Sequence, residues 1–393
     1  MIQSLTRTLA LLAVTALIAG ACGGASTAVP GSPAVPAAAA PASAAPGAAA
    51  DPCGIPVKGK CPREATALTA AGATFPAPIY TKWIDEYNKL TGVQINYQAV
   101  GSGGGIKSLT DKTVDYGASD VPLTDAQIDA LKVPVLHIPT VMGSIVPTYN
   151  VPGVTGSLKL TADALAGIYL EQIKKWNDPK IAAANPGVSL PDLAITTVHR
   201  SDGSGTTGVF TDYLSKVSAD WKAKVGSATS VSWPGGVGGS GNAGVAGAVK
   251  STPGAIGYVE LIYAIQNKIT YGSVQNKAGQ YVEANLDSTT AAADGFTMPD
   301  LASLKGQQAK ISITNADNAK ATPIATFTYV VVTTDIPDRA KALTIVRYLW
   351  WSTHEGQVFA KDLGYAPLPA GVVTKAEAAI RAITSGGQPV LPK

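Results

Sequence analysis

The stretch His199-Arg200-Ser201-Asp202-Gly203-Ser204-Gly205-Thr206-Thr207-Gly208 follows a β-branched run, Ile195 to Val198, and precedes the helix-prone Val209-Phe210-Thr211-Asp212-Tyr213-Leu214. A strand, a small-residue turn and a helix start in succession gather free N–H groups, hydroxyls and the positive end of a helix dipole. That combination is an anion site. Arg200 adds a planar, permanently charged fork suited to two oxygens of a phosphate or carboxylate. A plainer possibility is a polar connection with a capping serine. Both place a strand before Arg200 and a helix after Ser204.

The same rhythm recurs upstream. Leu68 to Thr74 reads as a short strand ending in a turn, and Phe75, Ile79, Trp83, Tyr87 and Leu90 then fall on one helical face. Pro76 and Pro78 suit a first helical turn, and Thr74 is the expected N-cap. Gly92 closes this helix, and Val93 to Val100 alternates as a strand. Gly101-Ser102-Gly103-Gly104-Gly105-Ile106-Lys107-Ser108 is a glycine-rich turn into a short helix. It misses a Walker A loop because Ile106 stands where a glycine must precede the lysine, so Ser102 and backbone amides read as a second anion cradle. Val114 to Asp120 is a third strand, ending on an acidic residue, with a helix from Thr124. Three strand–loop–helix units point to an α/β sheet, in which ligands gather at the carboxyl ends of strands.

Further along, Val133 to Val146 is strand-like and carries the chain toward a second lobe. Thr161 caps a helix over Ala162 to Leu170, and Trp176-Asn177-Asp178-Pro179 reads as the end of the next. Ser230 to Gly247, rich in glycine and small polar residues, has no clear periodicity. Ala255 to Val259 and Phe327 to Thr334 are strands, and Arg339 to Trp351 is an apolar-faced helix. The last elements are expected to return to the first lobe. The organisation expected is residues 65–145 plus 327–393 as one lobe and 146–326 as the other, with two crossings forming a hinge.

The N-terminal part differs in kind. Residues 1–21 read as a secretory leader, with Arg7 and an apolar run from Leu9 to Ile18. Ala19-Gly20-Ala21-Cys22 resembles a bacterial lipobox, in which the cysteine is diacylated; ordinary leader cleavage would leave it unmodified. Gly23 to Pro52 is almost entirely Ala, Pro, Ser and Gly and reads as a tether; residues 22–64, which include Cys53 and Cys61, are assigned to it, with the domain proper beginning near Ala65. Lipidation of Cys22 leaves Cys53 and Cys61 as a pair suited to a local disulfide outside the cytoplasm. No His or carboxylate cluster suggests a zinc site there. The whole chain has a formal net charge of +3 with 15% charged residues, and no basic stripe for nucleic acid.

Leu68 to Pro78, the Gly101–Gly105 loop, Gly117-Ala118-Ser119-Asp120 and Arg200 to Thr206 occur together in this order. They resemble the PstS family of periplasmic phosphate-binding proteins of the phosphate-specific ABC transporter. Trp233-Pro234, Gly254 to Glu260 and Leu363 to Pro369 also resemble family segments. The resemblance implies a two-lobed periplasmic-binding-protein fold with its ligand cleft between the lobes. It implies phosphate held by Ala73, Thr74 and Phe75 through backbone amides and the threonine hydroxyl, and by Ser102, Asp120, Arg200, Ser204, Gly205 and Thr206. Asp202 would pair with or orient Arg200. Gly103 departs from the pattern, where a second serine is frequent.

The resemblance implies no cofactor and no metal. It also implies a monomer as the binding unit, delivery to an ABC permease with its cytoplasmic ATPase, and a place outside the cytoplasm; the lipobox-like residues before Cys22 add the expectation of a lipid anchor to the membrane. The main competing class is an exported phosphatase or other hydrolase, using Ser204 with His199. Strand alternation sends His199 and Arg200 to opposite faces, which disfavours it. An adhesin that retains the fold would be a third class. A binder of sulfate or molybdate lies closer, and Asp120 disfavours it.

Overall fold

The computed structural model describes residues 52–391 except residue 303; the leader, Cys22 and most of the tether lie outside the described residues. The chain runs β1 (Ala67–Gly72), α1 (Ala77–Thr91), β2 (Gln94–Ala99), α2 (Ser102–Thr110), β3 (Tyr116–Ser119) and α3 (Asp125–Leu131), then the long strand β4 (Val135–Tyr149). It continues through β5 (Lys159–Leu160), α4 (Ala162–Tyr169), α5 (Pro179–Ala182), β6 (Thr196–Arg200), α6 (Gly205–Val217) and α7 (Ala219–Lys224). Next come β7 (Val237–Gly239), α8 (Gly241–Ser251), β8 (Ala255–Glu260), α9 (Leu261–Asn267), β9 (Thr270–Tyr271), β10 (Ser273–Gln275), β11 (Tyr281–Val282) and α10 (Leu286–Ala291). The chain ends with β12 (Ala325–Thr333), α11 (Arg339–Thr353), α12 (Ala370–Arg381) and the short pair β13 (Thr384–Ser385) and β14 (Gln388–Pro389).

The principal sheet has the order β2-β1-β3-β12-β4-β8-β6-β7, with β9 also on β4. β1 pairs in parallel with β2 and β3, and β6 pairs in parallel with β7 and β8. Strand β4 joins the two halves. Its residues Val135 to Ser144 pair with β12, and Ile145 to Tyr149 pair with β8. Ile145 N–H donates to Ile324 O at 2.8 Å, so β4 changes partners beside the residue that leads into β12. The β4–β12 register shifts between Thr328 and Tyr329, opposite Pro139. Proline has no N–H for the ladder, and such irregularities re-aim side chains.

Helix α1 follows from its sequence: Ile79, Trp83 and Tyr87 recur on one face and are fully buried. It ends at Gly92, in the left-handed conformation with φ 81°. Its N-cap is Pro76 with no side-chain cap, so Thr74 does not play the capping role expected of it. Trp176–Pro179 also differs from expectation: Asp178 accepts from Lys180 N–H at 2.9 Å, with Pro179 as the first helical residue, so this segment opens α5.

The folded body starts before Ala65. A disulfide joins Cys53 and Cys61, and both residues are buried with Val57. Arg347 of α11, itself buried, donates to Pro52 O (3.0 Å), Gly54 O (2.7 Å) and Gly59 O (2.8 Å), and lies 3.0 Å from Glu64. The local disulfide presents three carbonyls to one guanidinium, which is why residues 52–64 pack as part of the domain.

Candidate functional site

The carboxyl ends of β1, β3 and β6 and the starts of α2, α6 and α8 converge. Ser102, at the start of α2, is fully buried; its Oγ accepts Gly205 N–H at 3.0 Å and Asp120 N–H at 3.3 Å. Gly103 N–H donates to Gly203 O at 2.8 Å. A Cβ on Gly103 would lie 3.1 Å from Gly203 Cα, so the backbone approach accounts for a glycine in this position. Gly101 has φ 87°, and a side chain there would collide with Asp202.

On the β6 side, Arg200 is 4% exposed, and its side chain is gripped by Asp202 through Nε (2.8 Å) and Nη2. Nη1 donates to Thr206 Oγ1 at 3.3 Å. Asp202 also accepts Gly241 N–H at 3.0 Å. Burial raises the Asp202 carboxyl, but the Arg200 hydrogen bonds and charge and the Gly241 N–H outweigh it and hold the group below its usual range. Ser204 caps α6 by accepting Thr207 N–H at 3.0 Å. This leaves its O–H hydrogen for donation.

Asp120 follows β3 and is 2% exposed. Its Oδ1 accepts Thr328 O–H at 2.9 Å, and its Oδ2 lies 3.5 Å from Thr206 Oγ1. Burial pushes its pKa up to about 7, against the Thr328 hydroxyl, the Arg200 charge and Thr206. Asp120 is therefore a carboxylate with no cation of its own, set among donors.

Thr74 and Phe75 join through the β1–α1 turn. Tyr263 O–H donates to Thr74 O at 2.5 Å, and Tyr365 O–H to Phe75 O at 2.6 Å. Thr74 Oγ1 accepts from Asn242. Two sequence expectations change here. Ala73 N–H is committed to Ala118 O at 3.0 Å, so the sheet takes the amide expected for the anion. Gly205 N–H enters through its bond to Ser102 rather than as a free donor.

The histidines lie elsewhere. His199 stacks on Trp233, with centroids 4.9 Å apart and a 10° tilt. His137 accepts Leu123 N–H at 3.1 Å, and burial lowers its pKa to about 4. His354 contacts Glu377 at 2.8 Å. Among the described residues no group of three His, Cys, Asp or Glu side chains could hold a metal ion.

Sequence reading missed Thr328, Tyr258, Tyr263, Tyr365 and Asn242. Neither motif nor spacing points to the Tyr258 hydroxyl, yet it accepts Arg200 N–H at 3.1 Å and lies 2.6 Å from Thr207 Oγ1. Asn242, fully buried, opens α8 inside the stretch without clear periodicity. The signal that could have found it is a Gly-Asn pair at a helix start next to the β7 strand end.

Residues 40–344 match the PBP superfamily domain. A phosphate-binding protein PstS from Xylella fastidiosa is 44% identical over 312 residues, covering 79% of this chain and 84% of its own. One from Methanocaldococcus jannaschii is 36% identical over 327 residues (78% and 83% covered). PstS3 from Mycobacterium bovis is 33% identical over 328 residues (80% and 86% covered). In fold, the chain is similar to a phosphate-binding protein from Stenotrophomonas maltophilia (TM-score 0.62, 18% identity, 80% of this chain and 94% of that one). A human phosphate-binding apolipoprotein is also similar in fold (TM-score 0.64, 18% identity, 83% and 100% covered). The chain belongs to the PstS family of phosphate-binding proteins, within the PBP superfamily.

Proposed function

We propose that this chain binds inorganic phosphate as the hydrogen phosphate dianion, between the strand ends that carry Asp120 and Arg200, and delivers it to an ABC permease for import. The observation that carries this reading is the composition of the site. Hydroxyls of Thr74, Ser102, Ser204 and Thr206, backbone donors of the β1–α1 turn and one guanidinium surround a single carboxylate that lacks a cation of its own. Donors alone would suit any oxyanion. The carboxylate suits one that still carries a proton, because a P–OH donates to Asp120 while fully ionised sulfate would set lone pair against lone pair.

The lobes proposed are residues 65–145 plus 327–393 and residues 146–326, with the segment 52–64 packed on the first. The change of partners along β4 and the neighbouring entry to β12 support a hinge there, and cross-cleft bonds such as Gly103 to Gly203 support closure on the ligand. The chain acts without catalysis, as a monomeric binding unit, outside the cytoplasm and anchored through a lipid on Cys22. No helix among the described residues is long and apolar enough to cross a membrane.

Isothermal titration of the stripped protein near pH 7 tests the reading. Tight one-to-one phosphate binding is expected, with affinity weakened more than about tenfold by Arg200→Ala, in line with the loss of a charge-assisted contact. A folded sample silent toward phosphate, or steady release of phosphate from a phosphomonoester, contradicts it.

A further inference from the structure

Asn242 has both ends of its amide fixed. Glu260 N–H donates to Oδ1 at 2.9 Å, which turns Nδ2 toward the site. Nδ2 donates to Thr74 Oγ1 at 2.9 Å and to Thr206 Oγ1 at 3.2 Å. The Asn242 backbone N–H adds a second bond to Thr74 Oγ1 at 3.1 Å, and Arg200 Nη1 adds a second to Thr206 Oγ1 at 3.3 Å. A hydroxyl has two lone pairs and one hydrogen. Each threonine oxygen already accepts two hydrogen bonds, so donation is the capacity it has left; Thr206 Oγ1 turns its hydrogen toward Asp120 Oδ2, 3.5 Å away, the side on which the anion is proposed to sit.

We infer that Asn242 is a positioning residue that forces the hydroxyls of Thr74 and Thr206, one from each side of the cleft, to point their hydrogens at the anion. This rests on the phosphate reading above and extends it to a residue that need not touch the ligand. A freely rotating hydroxyl offers an anion either a hydrogen or a repulsive lone pair; the amide removes the second choice. Because one NH₂ group serves both threonines, the polarity is set most completely when the two sides of the cleft are together. An aspartate in its place reverses the logic, since its oxygens would accept the two hydroxyl hydrogens and compete with the anion for them.

The test is phosphate titration of the wild type, Asn242→Ala, Asn242→Asp, the double variant Thr74→Val/Thr206→Val, and that double variant carrying Asn242→Ala. Asn242→Ala is expected to weaken binding about tenfold in the wild-type background and less than about twofold when no hydroxyl remains to orient. Asn242→Asp is expected to weaken it further than Asn242→Ala. An equal loss in both backgrounds, or unchanged affinity in Asn242→Ala, overturns the inference while leaving phosphate binding by the wild type intact. A wild type that ignores phosphate overturns the parent reading. Near-UV circular dichroism checks folding. Asn242→Ser, which keeps a donor able to serve only one threonine, replaces Asn242→Ala if that variant does not fold. It is expected to fall between the wild type and Asn242→Asp, and affinity equal to the wild type would count against the inference.

Discussion

The ends of β3 and β6 approach each other from two halves of one sheet, and each carries a carboxylate that feels the Arg200 charge, though only one of them touches it. Asp202, beyond β6, is gripped by the guanidinium through two nitrogens and held below its ordinary pKa. Asp120, beyond β3, is deeper, meets a threonine hydroxyl instead of a cation, and is pushed up to about 7. The same side-chain type thus performs two tasks. A paired carboxylate uses its charge to aim an arginine, whereas an unpaired one keeps its acceptor capacity for the ligand.

The sharpest way to separate the two is sulfate. Sulfate brings no proton, so it fits Asp120 only when the carboxyl itself is protonated. With burial pushing the Asp120 pKa up to about 7, sulfate affinity is expected to rise at least about tenfold from pH 8.5 to pH 6.5. Asp202→Asn should leave that pH dependence in place. A flat sulfate profile would break the distinction between the two carboxylates.

A smaller effect concerns stability of the ligand-free protein. The folded-state pKa of Asp120 lies above its ordinary value of 3.8, so its stability contribution is complete below that value and is lost as pH rises through about 7. At pH 8 Asp120→Asn is therefore expected to raise Tm by several degrees, and at pH 4 to leave it nearly unchanged. Asp202 has the opposite sign: its folded-state pKa is lowered, so its contribution is present above its ordinary value and lost as pH falls. Asp202→Asn should lower Tm at pH 8. Calorimetric scans of both variants at the two pH values decide it, and shifts of the same sign would undo the comparison.

Much of the β3 and β6 ends was readable in the chain because each site segment is local. A strand, a small-residue turn and a helix start lie within about ten residues, and Ser204 caps α6 at the end of that turn. What escaped was whatever depends on sheet neighbours. Thr328 reaches Asp120 across 208 positions and Asn242 reaches Thr74 across 168, and no periodicity connects such pairs. The commitment of the Ala73 amide follows from the β1–β3 register, which is also a long-range property. Residues 52–64 precede the first recognisable strand and are grouped with the tether in sequence, yet the guanidinium of Arg347, contributed from α11, binds carbonyls among them. Helix α8 was hidden because its first turn, Gly241-Asn242-Ala243-Gly244, carries little apolar surface and uses backbone donors instead.

The most direct test of the account is the ratio of phosphate to sulfate affinity at pH 8, measured by titration calorimetry for the wild type and Asp120→Asn. If Asp120 serves as the acceptor for a proton on the ligand, the wild type should bind phosphate at least about a hundredfold more tightly than sulfate, and the variant should lose most of that ratio. An undiminished ratio in a folded Asp120→Asn protein would contradict the account, because the site would then tell the two anions apart without its carboxylate.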